Sequence, residues 1–106
     1  MRPDVRAALA AARTALARQY GTRLRRVVLY GSQARGEARA ESDADVLAVL
    51  AGPLRLYDEI KVLTDLECEL ADRFGVTVSL QPYEAAAFEA SATPFLARVR
   101  REAVVL

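Results

Sequence analysis

A chain of 106 residues has enough apolar sequence for one compact core and too little for two, so a single domain over residues 1–106 is expected. It contains no histidine and one cysteine, which excludes histidine bases and ligands, internal disulfides and Cys-cluster metal sites; any metal chemistry must use oxygen ligands, as Mg²⁺ or Mn²⁺ do. A net charge of +1 exerts no general pull toward DNA or RNA, and arginine clusters at residues 23–26 and 98–101 are expected to be solvated faces or local patches.

Met1 to Ala17 interleaves Arg2, Asp4, Arg6 and Arg13 with apolar residues, unlike a signal peptide. With no stretch long and uncharged enough to span a bilayer, a cytoplasmic, membrane-free location is expected. Val5, Leu9, Ala12, Leu16 and Tyr20 recur at helical spacing and predict a helix over 4–20, with Asp4 as its N-cap and Gly21 as its stop. Val27-Val28-Leu29-Tyr30 predicts a buried strand over 25–30, ended by Gly31. Ser32 then caps a brief helix to Arg35, residues 36–41 form a polar loop, and 45–50 form a second strand that Gly52-Pro53 ends. A long helix over 54–74 follows, with Ile60, Leu63, Leu66, Leu70 and Phe74 as its apolar stripe and Cys68 packed among the leucines. Gly75 stops it. Residues 76–81 alternate as a half-buried strand closed by Pro82, and short helices are predicted over 84–91 and from Pro94 to Glu102. The order describes an α/β (α+β) fold: a small sheet flanked by helices.

Two segments carry chemistry. Gly31-Ser32-Gln33-Ala34-Arg35-Gly36 places a glycine, a hydroxyl and a helix start after a strand, where backbone N–H groups, Ser32 and the Arg35 guanidinium suit a phosphate. Ser42-Asp43-Ala44-Asp45 opens the next strand. Residues two apart in a strand share a face at about 6.5–7 Å, so Asp43 and Asp45 can share divalent metal while Ala44 points into the core and Ser42 caps or orients the loop. Separately, each motif is more simply a helix cap or a charged turn; joined in one strand–helix–strand segment, they describe a triphosphate site.

Their order and spacing resemble the signature of the DNA polymerase beta-like nucleotidyltransferase superfamily, in particular its minimal nucleotidyltransferase (MNT) branch, most closely over residues 27–50. The resemblance implies a nucleotidyltransferase fold with a mixed three-stranded sheet. It further implies that Gly31 and Ser32 bind nucleotide phosphates and that Asp43 and Asp45 bind Mg²⁺. The superfamily's third carboxylate comes from the following strand, which here offers Thr77 and Ser79, with Glu84 just beyond as a possible substitute. Residues 93–106 resemble the C-terminal helix and apolar end of stand-alone bacterial proteins that pair with a HEPN-domain partner in toxin–antitoxin systems. Val104-Val105-Leu106 either tucks onto the sheet or meets a second chain.

Two functions follow. The first is an enzyme that binds a nucleoside triphosphate, ATP by expectation, with Mg²⁺ or Mn²⁺ and transfers AMP to an acceptor hydroxyl. The acceptor is expected on a HEPN-type partner rather than on an extended nucleic acid. The second is an antitoxin-like binding module that keeps the fold, recognises a HEPN-type partner and has little or no catalysis. The metal pair favours the first, and the missing third carboxylate favours the second.

Overall fold

The computed structural model of the chain describes residues 1–36, 43–90 and 93–106. Among these, five α-helices, α1 (Pro3–Tyr20), α2 (Ser32–Arg35), α3 (Leu56–Phe74), α4 (Ala85–Ala90) and α5 (Pro94–Glu102), are interspersed with four strands, β1 (Leu24–Tyr30), β2 (Ala44–Leu50), β3 (Val78–Glu84) and β4 (Val104–Val105). The sheet order is β3-β2-β1-β4, with β2 parallel to β3 and both other pairs antiparallel. The sheet is mixed, as expected, but has four strands rather than three. The apolar tail makes the difference: Val105 pairs with Val28, Val104 pairs with Leu29, and the Leu106 N–H donates to the Val27 carbonyl at 2.8 Å. It tucks onto the sheet.

Apolar side chains fill both faces of the sheet, which is why β1 and β2 read as nearly unbroken apolar runs. On one face Val27, Leu29, Ala44, Val46, Ala48 and Leu50 pack with the buried stripes of α1 and α3. On the other, Val28, Tyr30, Leu47 and Val49 pack with Phe88 of α4 and with Leu96 and Val99 of α5. Among the described residues no helix is long and apolar enough to cross a membrane.

Several local expectations are corrected. Arg2, not Asp4, is the N-cap of α1; Pro3 starts the helix, and the Asp4 carboxylate lies in the first turn, where it accepts from the Val5 N–H and pairs with Arg2. Cys68 is exposed, because two residues from Leu66 is about 200° around a helix, opposite the buried stripe. Ile60 is 47% exposed, since Glu59 turns inward in its place. There Glu59 accepts from Arg23 Nη2 at 2.9 Å and from the Arg55 N–H at 3.3 Å, tying the β2–α3 connection to the start of β1. The third strand starts at Val78 rather than at residue 76 and runs to Glu84 through Pro82 instead of ending there. β3 is an edge strand, and the Leu80 N–H points away from β2 to the Glu67 carboxylate at 2.7 Å. Two residues on, Pro82 presents its missing N–H to the same outer side and breaks no ladder bond.

Candidate functional site

The antiparallel register places Asp45, second residue of β2, opposite Tyr30, last residue of β1. The parallel register places Ser79 of β3 beside the same Asp45. One end of the sheet thus gathers the turn after β1 and the starts of β2 and β3. Ala44 is fully buried, so its neighbours Asp43 and Asp45 project to the opposite face, Asp43 exposed and Asp45 half-buried.

Gly31 joins β1 to α2 at φ 77° and ψ −159°, a conformation that side chains strongly disfavour. Space makes the same demand. A Cβ at Gly31 would lie 2.6 Å from Asp45 Oδ2, so the carboxylate rests directly against the glycine. Gly36, at φ 73°, closes α2 and its N–H donates to the Gln33 carbonyl. Gly31, Ser32 and Asp45 are therefore brought together, with Asp43 at the mouth.

Burial, and secondarily the charge of Asp43, hold the Asp45 carboxyl above the ordinary carboxylate range. The hydroxyl of Tyr30 is also pushed up, first by burial and then by Asp45, with Arg98 opposing. Two carboxylates whose charges oppose one another form a hard oxygen donor set that suits a divalent cation. Among the described residues no group of three or more acidic or thiol side chains is placed to hold a metal.

Of the candidate substitutes for a third carboxylate, Ser79 stands beside Asp45, and Thr77 lies one step outward, its carbonyl accepting from the Ala44 N–H at 3.0 Å. Glu84 is excluded. It pairs with Leu50 at the far end of β2, five residues or about 16 Å along the strand from Ser79, and its carboxylate packs on Gly52. Ser42 lies outside the described residues.

The geometry adds a residue that no sequence motif marks. Glu102, at the end of α5, accepts from the Gly31 N–H at 3.2 Å through Oε2 and from Arg35 Nη1 at 2.9 Å through Oε1. Arg35 thus reaches across to α5. No local pattern reveals Glu102, because its partners lie 71 and 67 residues away in sequence. Its one signal is its place at the end of a helix that leads into the apolar tail.

Comparison with known proteins places the chain in a family. The family-wide pattern described as "Nucleotidyltransferase domain" matches residues 9–104. The chain belongs to that family. It is 31% identical to a protein provisionally described as a minimal nucleotidyltransferase, with a TM-score of 0.61 over 96% of this chain and 92% of that one, in keeping with the expected MNT kinship. A protein of Methanocaldococcus jannaschii, provisionally named a protein adenylyltransferase, is 39% identical over 62 residues, which cover 58% of this chain. The match spans 42% of that relative's length. The crystal structure of a toxin–antitoxin with AMP-PNP aligns at a TM-score of 0.60 and 21% identity over 87% of this chain and 67% of that one. At that identity the likeness is one of fold. In the fold itself, Gly31, Ser32, Asp43 and Asp45 stand where the strand ends converge.

Proposed function

We propose that this nucleotidyltransferase-domain chain binds a nucleoside triphosphate, ATP in the first instance, together with Mg²⁺ or Mn²⁺, and transfers the nucleotidyl group to a hydroxyl on a partner protein. The observation that carries the reading is the close approach of Asp45 to Gly31, which sets one carboxylate directly against the turn expected to hold phosphates, with Asp43 two residues before it at the mouth. Asp43 and Asp45 would hold a divalent cation, which would supply positive charge beside the phosphates and let a compact, highly charged ligand sit near two carboxylates. The chain's own residues do the positioning. Gly31 lets phosphate oxygens approach the backbone, Ser32 offers a hydroxyl, and Asp45, on β2 between β1 and β3, holds its carboxylate against the turn, where it would help hold the cation.

In the transfer, the acceptor oxygen bonds to the α-phosphorus, the bond from that phosphorus to the bridging oxygen breaks, and pyrophosphate leaves. The hydroxyl proton passes to a base. On this chain Ser79 occupies the position beside Asp45 where a carboxylate base would act, and a serine hydroxyl is a poor base. That one position favours the second reading, a binding module with weak or no catalysis. A HEPN-type protein is the proposed partner in both cases, a reading supported by the fold likeness to toxin–antitoxin subunits.

Isothermal titration calorimetry with ATP, with and without Mg²⁺, tests the binding half. Magnesium-dependent binding that Asp43→Ala and Asp45→Asn weaken by tenfold or more, roughly the worth of one charge-assisted contact, is expected. Absence of magnesium-dependent binding to any nucleoside triphosphate would sink it. For transfer, α-labelled ATP should mark the co-purified partner with wild type and not with Asp45→Asn. An unlabelled partner in a complex that still binds ATP selects the binding-module reading.

A further inference from the structure

Gly31 has no side chain with which to hold its unusual conformation, and no side-chain cap closes the start of α2. The turn is nevertheless held on two sides. Asp45 stands against the glycine's α-carbon, and Glu102 takes the glycine's N–H and the Arg35 guanidinium, one with each carboxylate oxygen. We propose that Glu102 is a positioning residue for this turn, its carboxylate fixing Gly31 and Arg35 in the arrangement that receives the triphosphate. The inference rests on nucleotide binding at the turn.

Three features give Glu102 this reach. Its side chain is 15% exposed against 38% for Arg35, so the pair is partly shielded and its hydrogen bonds are less diluted by water than those of an open surface pair. It is anchored on both flanks: the Ala103 N–H closes α5 on the Val99 carbonyl at 2.8 Å, and β4 begins at Val104, zipped to β1 by the Leu29 and Val28 pairings. Finally, Gly31 has more backbone freedom to lose than any other residue type, so a bond to its N–H from a distant rigid element removes alternatives that the turn cannot remove itself. The opposite view of the same contacts makes Glu102 a stand-in for phosphate that the nucleotide must displace. The two views predict opposite signs for its removal.

Glu102→Ala and Glu102→Gln compared with wild type separate them. Under the proposal, Glu102→Ala weakens Mg–ATP binding about tenfold, as loss of a hydrogen bond to a charged group would. Glu102→Gln, whose amide oxygen can still accept from Gly31, recovers part of that loss. In the ligand-free protein, NMR amide exchange at Gly31 should quicken in Glu102→Ala while the α1 and β2 amides keep their protection. Unchanged or tighter ATP binding by Glu102→Ala overturns the proposal, and tighter binding establishes the stand-in. If wild type binds no nucleotide, the nucleotide reading has failed on its own, and the exchange data decide whether Glu102 holds the turn: unaltered exchange at Gly31 overturns that too. If Glu102→Ala does not fold, Glu102→Gln alone is decisive, through reduced ATP affinity at unchanged melting temperature.

Discussion

At Gly31 two independent constraints, a positive φ and the Asp45 oxygen where a Cβ would go, fall on one atom. Gly75 shares only the first: it caps α3 at φ 65°, and a Cβ there would have nothing within 4 Å. Gly75→Ala should therefore cost about 1 kcal/mol of strain, and Gly31→Ala roughly 2 kcal/mol or more, with loss of ATP binding in the second only. Urea denaturation and calorimetry check both; equal costs would mean that Asp45 simply moves aside. Asp45 carries its own signature. Its pKa is raised in the folded chain, so the native state binds the proton more tightly than the unfolded state does. Without divalent cation, that contribution is present at acid pH and is lost as pH rises through the folded value. Asp45→Asn should be more stable than wild type near neutrality, with the gap closing as pH falls below the carboxylate range. Urea midpoints in EDTA from pH 3 to 7 measure it, and a pH-independent gap would deny the raised pKa.

Strand pairing decides where a base could be restored. Thr77 and Ser79 share the polar side of the segment that leads into and opens β3, and either could stand for the missing carboxylate by pattern. The parallel register puts Ser79 level with Asp45. Ser79→Asp should therefore raise transfer activity or tighten Mn²⁺ binding more than Thr77→Asp. A larger gain from Thr77→Asp would indicate that the base belongs beside Asp43. At the other end of the sheet, Arg23 and Glu59 hold the β2–α3 connection. Arg23→Ala leaves the Glu59 carboxylate, 6% exposed, without its cation. We expect a loss of about 2 kcal/mol, below the ~3–5 of a fully buried pair because Arg23 is 41% exposed. Denaturant midpoints measure that loss, and ATP affinity should be unaltered.

Across the whole molecule, the two helical layers each bury a tyrosine against the sheet. Tyr20 packs in the α1–α3 layer and Tyr30 in the α4–α5 layer, and burial is the first cause of a raised pKa in both. The neutral phenols stabilise the fold fully below the free tyrosine value of about 10, and that contribution is lost as pH rises through the higher folded values. On the alkaline side melting temperature should therefore begin to fall above pH 10, and Tyr20→Phe should flatten that fall. The helix periods, the two apolar strands and the Gly-Ser and Asp-x-Asp motifs were legible from the sequence, because each of these is written in neighbouring residues. The remaining features needed the folded chain. Cys68 could have been placed outward from its offset of about 200° to Leu66, but Glu59 faces inward because Arg23, from before β1, meets it there; Pro82 stays in β3 because that strand is an edge. Glu84 is removed from the candidate site by strand register, and Glu102 is brought to it from the far end of the chain. These depend on which distant segments meet, and side-chain period does not encode that.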